Sequence, residues 1–219
     1  MKIKNICIIP GLEKNTYSKK GDLVEWGDTT LINWKISQAN DSNIFDKIII
    51  SSPDNKIINM AKTENIEFLK RKSNKLIDLY KSALKKFKNC NIIFLSTTFP
   101  FFSPNNIKKS VLKFSKSNLK SGFTFLKKKE YFYLNNKPLN FDFNENLKSR
   151  REIKPLRNIV PAVIMFKPNN NILSQNNIFS KENFFYEISW LESLEINSSK
   201  DIDVFNLLIS KYFQLNQKK

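Results

Sequence analysis

The sequence predicts an α/β fold with a mostly parallel sheet, and three observations support this prediction. Short apolar runs, such as "IKNICIIP" (3–10) and "NIIFLS" (91–96), recur through the first half of the 219-residue chain. Segments with apolar residues at helical spacing separate these runs. Ser-Pro pairs, which favour the start of a helix, follow two of them. Strands that alternate with helices in this way indicate βαβ units and parallel pairing.

The predicted elements of the first half follow a regular order. The strands are 3–10, 46–51, 66–70 and 91–96. The helices between and after them are 29–40, one opened by Ser52-Pro53, one capped by Ser73 and one opened by Ser103-Pro104. Ligands of such sheets bind beyond the carboxyl ends of the strands. The loops that begin at Pro10, Ser51 and Ser96 are therefore the candidate site.

The pattern changes near residue 120. Short alternating runs around an Asn135-Asn136 turn predict a β-hairpin within 122–143, and "IVPAVIMF" (159–166) predicts a return to a core strand. A C-terminal helix is predicted at 198–213, with Val204, Leu207, Leu208 and Phe213 on its apolar face. We interpret residues 1–219 as a single domain in which residues from about 122 to 157 form an inserted arm.

The composition excludes several functional classes. The chain has no His, which removes Ser-His-Asp catalysis, Cys-His catalysis and His-bearing zinc sites. It has only four Gly, and neither the Walker phosphate loop nor the dinucleotide-binding fingerprint is present. The two Cys lie in apolar runs, as small core residues of a reduced, cytoplasmic protein do. The most apolar run is too short to predict a membrane span.

The formal net charge of +17 allows a polyanionic partner. The Lys residues are spread over every predicted helix, however, and no nucleic-acid recognition motif or basic stripe accompanies them. The chain is also rich in Asn and Ile, so we interpret its many Lys residues as part of a general bias in composition. This interpretation is favoured over nucleic-acid binding.

Three segments resemble a known family, the sugar-acid cytidylyltransferases, among which the N-acylneuraminate cytidylyltransferases are nearest. These segments are "ICIIP", "LINWKISQA" (31–39) and "FDKIIISSPDNKIINMAKTENI" (45–66). The resemblance implies a Rossmann-like nucleotidyltransferase fold and a homodimer formed through the inserted arm. It also implies Mg²⁺-dependent transfer of CMP from CTP to a nonulosonic (sialic-type) sugar acid, with release of pyrophosphate.

The nucleotide loop of that family reads like P-A-R-x-x-S-K-x-x-x-K-N, and this chain has "PGLEKNTYSKKGD" (10–22) in its place. The resemblance implies that Lys19 is catalytic and that Lys14, Ser18 and Lys20 bind the nucleotide. The family Arg is replaced by Leu12. The alternative is a solvated, Lys-bearing loop.

Two further family motifs are matched in part. The motif L-Q-P-T-S-P-L-R corresponds to "LSTTFPFF" (95–102), which implies nucleotide contacts from Ser96 and Thr98. Phe101 and Phe102, the latter at the family Arg, are interpreted as surface or dimer packing. The motif R-Q-x-L-P corresponds to "RREIKP" (150–155). It implies a catalytic Arg151, with Arg150 and Arg157 as substrate or anion contacts; salt bridges at an interface are the alternative.

The family metal motif, S-I-D-I-D-T, matches "SLEINSSKDIDVFNLL" (193–208) without a gap. This register implies that Glu195 and Asn197 hold the Mg²⁺. It places Asp201 and Asp203 in the first helical turn, where acids interact favourably with the helix dipole. In the alternative register, Asp201 and Asp203 are the metal pair.

Four expected catalytic positions thus differ from the family pattern: the loop Arg, the Gln, the second Arg and the metal pair. Two hypotheses remain. The chain is a divergent cytidylyltransferase, or it is a catalytically weakened homologue that binds nucleotide or sugar, or serves as a partner subunit.

Overall fold

The computed structural model describes residues 3–142, 146, 148–168 and 177–216. The strands are β1 (Asn5–Pro10), β2 (Glu25–Trp26), β3 (Thr29–Thr30), β4 (Lys47–Ser52), β5 (Glu67–Lys70), β6 (Asn91–Leu95), β7 (Ser121–Lys128), β8 (Tyr133–Leu134), β9 (Lys137–Pro138), β10 (Leu156–Phe166) and β11 (Phe184–Glu187). The α-helices are α1 (Leu31–Ser42), α2 (Asn55–Thr63), α3 (Leu76–Lys86), α4 (Pro104–Lys116) and α5 (Ser199–Asn216).

Seven strands form one sheet in the order β11-β7-β10-β6-β1-β4-β5. Four of the pairings are parallel, and β10 pairs antiparallel with both β6 and β7. The predicted α/β fold with a mostly parallel sheet is confirmed. Because β1, β4, β5 and β6 are parallel, their carboxyl ends meet at the same edge of the sheet.

Helices cover both faces of the sheet because each strand at its centre is apolar on both sides. Apolar residues of α1, α2 and α4 pack on one face, and those of α3 pack on the other. A third apolar cluster lies under α5, where Ile202, Phe205 and Ile209 pack against Tyr17 and Trp26. This last cluster joins the C-terminal helix to the loop that follows β1.

The predicted helix starts are only partly right. Ser103 caps α4, its side chain accepting a hydrogen bond from the amide of Asn106 at 3.3 Å, with Pro104 following as predicted. The cap of α2 is Asp54 and not Ser52, which is the buried last residue of β4. The cap of α3 is Lys75 and not Ser73. In both corrected cases the Ser hydroxyl forms a short turn with the residue two positions on, at 3.0 and 3.2 Å, so the helix begins later.

The predicted apolar face of α5 is wrong for three residues. Val204, Leu207 and Leu208 are exposed by 53%, 71% and 39%, whereas Ile202, Phe205 and Ile209 are buried. Packing against the third apolar cluster decides which face is buried, and the Asn206 side chain accepts a hydrogen bond from the Gly27 amide at 3.1 Å on the same side. The side chain of Phe213 lies outside the described residues.

The region predicted as an arm divides into two parts. Residues 121–128 are β7, a strand of the main sheet, and the described residues of 129–155, the β7–β10 connection, lie outside it. The predicted hairpin is present in that connection as β8 and β9. Its Asn135-Asn136 turn has φ values of 50° and 61°, the left-handed conformation that two-residue hairpin turns require.

No helix among the described residues combines the length and the apolar character needed to cross a membrane.

Candidate functional site

A pocket of about 220 Å³ lies at the carboxyl edge of the sheet. Loops that follow β1, β5 and β6 form it, as the topology of parallel strands predicts. We refer to it as the carboxyl-edge pocket. Its lining residues are Pro10, Leu12, Asn15, Tyr17, Asp22, Arg71, Asn74, Leu76, Leu79, Ser96, Thr97 and Thr98.

Asp22 organises this pocket from within. Its carboxylate accepts hydrogen bonds from the Leu12 amide at 2.7 Å, the Tyr17 hydroxyl at 2.5 Å and the Thr97 hydroxyl at 2.7 Å. One buried side chain, 3% exposed, therefore ties the loop after β1 to the loop after β6. Sequence reasoning missed this residue because a single Asp in a Lys-rich loop resembles an ordinary surface acid.

Burial raises the pKa of the Asp22 carboxyl above its usual range, while the bonds from Tyr17, Thr97 and Leu12 oppose that rise. Burial, followed by the neighbouring Asp22 charge, raises the pKa of the Tyr17 phenol. Tyr17 therefore remains a hydrogen-bond donor to Asp22 at any physiological pH. The network fixes the geometry of the pocket before a ligand arrives.

The turn that brings Asp22 back to Leu12 depends on Gly21. Its φ is +55°, and a Cβ at this position would lie 2.0 Å from the Leu12 carbonyl oxygen. Only glycine fits such a close approach of two backbone segments. Gly21 is therefore part of the loop architecture.

Arg71 is the guanidinium of the carboxyl-edge pocket, and sequence reasoning assigned it no role. It follows β5 directly, is only 5% exposed, and donates from Nη1 to the Ser73 carbonyl at 2.7 Å. Its Nε is buried without a hydrogen-bond partner among the described residues. Burial lowers the pKa of Arg71, while the charges of Asp54, Asp22 and Asp78 counteract that shift. Its position in the sequence could have marked Arg71 as a candidate site residue. It is one of only four Arg in the chain, and it follows the carboxyl end of a predicted parallel strand.

Helix α1 holds the loop after β6 through three side-chain donors that sequence reasoning also missed. Lys35 Nζ donates to the Phe99 carbonyl at 2.8 Å, and Trp34 Nε1 and Gln38 Nε2 donate to the Pro100 carbonyl at 2.8 and 2.7 Å. Lys35 is 1% exposed, and burial lowers its pKa to about 7. This loop carries Thr97 and Thr98, so α1 positions two residues of the pocket.

Phe101 and Phe102 belong to the core. They are 4% and 0% exposed and lie in two different apolar clusters. Their interpretation as surface or dimer packing is wrong, because the loop turns inward where α1 binds its carbonyls.

The predicted nucleotide contacts Ser96 and Thr98 both line the carboxyl-edge pocket, with their hydroxyl oxygens 2.8 Å apart. Of the loop residues, Ser18 and Lys19 line a neighbouring cleft of about 450 Å³ between the loop after β1 and α5, together with Asp203. We call this the loop–helix cleft. It shares Asn15 and Tyr17 with the carboxyl-edge pocket, so the two cavities adjoin.

The two remaining loop lysines are placed differently. Lys14 is exposed, and Lys20 forms a surface ion pair with Glu25 at 2.8 Å. Neither lines either cavity.

The segment that carries the predicted metal pair lies beside Thr98, and neither Glu195 nor Asn197 lines the carboxyl-edge pocket or the loop–helix cleft. The amide of Ile196 donates to the Thr98 carbonyl at 2.9 Å, which fixes the segment carrying Glu195 and Asn197. Burial raises the pKa of Glu195, and a hydrogen bond from the Asn197 side chain opposes this. No group of three or more His, Cys, Asp or Glu that could hold a metal occurs within the described part of the chain. The oxygen donors of this pair match the preference of Mg²⁺ but carry a single charge, so they fit the ion only together with phosphate oxygens.

Asp201, from the alternative metal register, is engaged in capping α5. Its carboxylate accepts from the Asn197 amide at 2.9 Å, from the Ser198 amide at 2.7 Å and from the Ser198 hydroxyl at 2.9 Å. The Asn197 amide makes the largest contribution to lowering the pKa of Asp201. Asp203 stands apart from this cap and lines the loop–helix cleft.

None of the three predicted arginine contacts lines the carboxyl-edge pocket or the loop–helix cleft. Val163 of β10 pairs with Leu95 at the end of β6, whereas Arg157 pairs with Lys127 of β7. The register of β10 against β7 shifts between Val160 and Ile164, so Arg157 lies four β7 residues, or about 13 Å, beyond the position at which Ile164 pairs with Phe123. The Arg157 guanidinium stacks on the rings of Phe125 and Phe185, at 5.4 and 4.8 Å from their centroids. Arg150 and Arg151 are exposed in the β7–β10 connection.

The sequence model of the family described as "Cytidylyltransferase" matches residues 21–219. Pseudaminic acid cytidylyltransferases from two strains of Campylobacter jejuni are 27% and 26% identical over 168 residues, which is 68% of this chain and 72% of each relative.

Solved structures share the fold. CMP:2-keto-3-deoxy-manno-octonic acid synthetase, complexed with CTP, has a TM-score of 0.71 at 8% identity, covering 95% of this chain and 99% of that one. A 4-diphosphocytidyl-2C-methyl-D-erythritol synthase from Anaerococcus prevotii has a TM-score of 0.65 at 13% identity, with the same coverage. The Rossmann-like nucleotidyltransferase fold is thereby confirmed. With the family model spanning most of its length, the chain belongs to the cytidylyltransferase family and is related to the CMP-sugar-acid synthetases.

Proposed function

We propose that the chain transfers CMP from CTP to a nonulosonic sugar acid of the pseudaminic or sialic type, with the nucleotide in the carboxyl-edge pocket. The observation that carries this proposal is the buried Arg71 beside Asp22, with one donor atom left without a partner. The pocket volume of about 220 Å³ suits part of a nucleotide, and the adjoining loop–helix cleft offers room for the remainder.

In this proposal, each group has a chemical role. Arg71, Ser96 and Thr98 orient the nucleotide, and Lys19 with Ser18 contacts the phosphates from the loop–helix cleft. The sugar hydroxyl attacks the α-phosphorus in line as its bond to pyrophosphate breaks. The protein contributes mainly by positioning and by placing positive charge where the transition state is anionic.

Glu195 and Asn197 would hold a Mg²⁺ that arrives with the phosphates of CTP, where such an ion supplies charge neutralisation. The backbone bond from Ile196 to Thr98 supports this assignment, because it holds the segment that carries both residues against the loop that lines the pocket. Asp201 caps a helix in this arrangement and takes no part in metal binding.

We also propose a homodimer, in which the β7–β10 connection meets a second copy. Its exposed apolar residues support this: Tyr131, Tyr133, Leu134 and Leu139 are 39–58% exposed. Arg150, Arg151 and Arg157, which line neither cavity of their own chain, would in such a dimer approach the sugar-acid site of the partner. Free Cys7 and Cys90 support a cytoplasmic location.

Calorimetry with CTP, with and without Mg²⁺, tests the nucleotide site, and pyrophosphate release with pseudaminic acid and N-acetylneuraminic acid tests the transfer. We expect Mg²⁺-dependent CTP binding, no comparable binding of ATP, and turnover with at least one sugar acid. Absence of CTP binding would overturn the proposal. Tight binding without pyrophosphate release from either acid would instead favour the weakened-homologue hypothesis, which the names of the matched relatives do not support.

A further inference from the structure

The outward face of α5 carries a contiguous apolar stripe. Val204, Leu207 and Leu208 are exposed by 53%, 71% and 39%. Their spacing of three and four residues places them side by side on the helix surface. By contrast, α3 and α4 each expose a single large apolar side chain among the described residues, Leu76 and Leu112. Scattered apolar residues are ordinary on a protein surface, whereas a contiguous group indicates an interaction site. We call these three residues of α5 the α5 stripe.

Opposite charges lie at the two ends of the α5 stripe. Asp203 and Lys211 are both exposed, and they lie four residues before and four residues after Leu207. All three therefore share one row of the helix surface. Within one helix, eight residues separate the two charges by about 12 Å, which is too far for them to form an ion pair with each other. A row with an acid at one end and a base at the other is complementary to the same row reversed.

This self-complementarity identifies the occupant as a second copy of the chain. We propose that α5 packs antiparallel against α5 of a second copy, with Leu207 on the twofold axis. Twofold contacts between identical surfaces are the commonest way in which soluble proteins form oligomers. Asp203 then lies opposite Lys211 of the partner subunit, and the symmetry forms this pair twice. An axis midway between Val204 and Leu207 would instead set Lys200 against Lys211 of the partner subunit, so the charges select the first register.

The pairing also reaches the loop–helix cleft. Asp203 lines this cleft together with Ser18 and Lys19, and it is the acid among the described lining residues. Lys211 of the partner subunit neutralises Asp203 at the cleft and adds a second cation to the one supplied by Lys19. Phosphates in the cleft would gain from both changes. This consequence rests on the proposed function, whereas the pairing of the two helices does not.

A cysteine at Leu207 tests the pairing directly, because a residue on a twofold axis meets its own copy. In a Cys90→Ser background, which removes the half-buried native thiol and leaves Cys7 buried, we expect Leu207→Cys to form a disulfide-linked dimer under mild oxidation. Leu112→Cys, at an exposed apolar residue of α4, is the control and should remain a single chain. Equal cross-linking of the two variants, or none in Leu207→Cys, would overturn the proposal.

Charge exchange tests the register. In sedimentation velocity at low salt, we expect Asp203→Lys and Lys211→Asp each to raise the dissociation constant about tenfold, and the double variant to restore it to within about twofold. Because the two residues are too distant to pair within one helix, such a rescue arises only between copies. Failure of the double variant to recover would refute the assigned register.

Leu207→Lys separates this contact from the one proposed for the β7–β10 connection, with which it shares no residue. We expect this variant to halve the mass of the assembly, whether or not the β7–β10 connection also joins two copies. A mass that is lowered by Leu134→Lys but not by Leu207→Lys would leave only the contact through the β7–β10 connection and refute the proposal. A monomeric original chain whose α5 stripe binds anionic phospholipid vesicles would assign the stripe to a membrane surface instead. None of these measurements requires CTP, so a failure of the proposed function would not change their outcome.

Discussion

Charged side chains occupy two regions of this molecule in opposite ways. Around the carboxyl-edge pocket, Asp22, Lys35 and Arg71 are 3%, 1% and 5% exposed. Asp22 and Lys35 are hydrogen-bonded to the loop after β6, and Arg71 to the Ser73 carbonyl of its own loop. In the β7–β10 connection and the start of β10, the arginines are exposed, and Arg157 rests on aromatic rings.

This difference shows that local charge density is a poor guide to the carboxyl-edge pocket of this chain. Taking a charge out of water is expensive unless hydrogen bonds or partners compensate. The buried charges are few, and Asp22 and Lys35 are each held by groups that are distant in sequence. The exposed charges are many, and each keeps its contact with water and so has little desolvation free energy to offset. Exposed charges can therefore be numerous in the sequence.

Equal contributions of buried and exposed charges to stability would contradict this comparison most clearly. Substitution of Asp22 is expected to have the largest effect on the free energy of unfolding. Asp22→Ala leaves the Leu12 amide and the Tyr17 and Thr97 hydroxyls without their acceptor, at about 1–3 kcal/mol for each buried group. We expect the free energy of unfolding, measured with urea, to fall by about 3 kcal/mol or more. Asp28→Ala, at an exposed site, should change it by no more than about 0.5 kcal/mol; equal losses would contradict the buried network.

Burial of Lys35 predicts a pH dependence of the free energy of unfolding. Its folded-state pKa of about 7 lies below the ordinary 10.5, so between these values the unfolded chain holds a proton that the folded chain has lost. Stability should therefore rise with pH above 7, by at most about 1.4 kcal/mol per pH unit. The chain has no His to obscure this window.

The matched variant is Lys35→Met, which keeps the length of the side chain without its charge. Urea unfolding of this variant between pH 7 and 9 should lack the rise seen in the original chain. A rise that persists in Lys35→Met would assign the pH dependence to another group.

Variants of Arg71 and Arg157 test whether the two regions differ in their effect on ligand binding. Arg71→Met removes the buried guanidinium of the carboxyl-edge pocket, and we expect CTP affinity to fall by about tenfold or more. Arg157→Met should leave CTP affinity unchanged and, in a dimer, raise the KM for the sugar acid. Calorimetry and steady-state kinetics separate these outcomes, and a loss of CTP affinity in Arg157→Met would reverse the assignment of the two regions.

The smallest expected effect distinguishes the two metal registers. Asp201→Ala removes a helix cap, which should cost about 1 kcal/mol of unfolding free energy and leave Mg²⁺-dependent CTP binding intact. Glu195→Gln should weaken the Mg²⁺ dependence with little change in stability. The opposite pattern in calorimetry would move the metal to Asp201 and Asp203.

The order of the strands and helices, the parallel sheet and the hairpin turn could be predicted because they depend on local patterns. Apolar runs, a Ser-Pro helix start and an Asn135-Asn136 turn each act within a few residues. The resemblance of 45–66 to the family pattern likewise needs only linear sequence. The predictions that Ser52 and Ser73 cap helices were wrong, because a Ser hydroxyl can accept a backbone hydrogen bond in a short turn as well as in a helix cap.

The candidate site was harder to predict, because its members are distant in sequence. Tyr17, Asp22, Arg71 and Thr97 come from three loops, and nothing local distinguishes them from surface residues. The face of α5 that is buried also depended on a distant contact, the packing of Phe205 near Trp26 and Phe101.

The sequence by itself determined the fold class, the family resemblance and the absence of His chemistry. Only the tertiary structure decided which charges are buried, which loops they join and that Arg71, not Arg157, lines the carboxyl-edge pocket. The physical reason is that burial and long-range hydrogen bonding are properties of the assembled sheet edge, where desolvation selects a few charges that composition cannot single out.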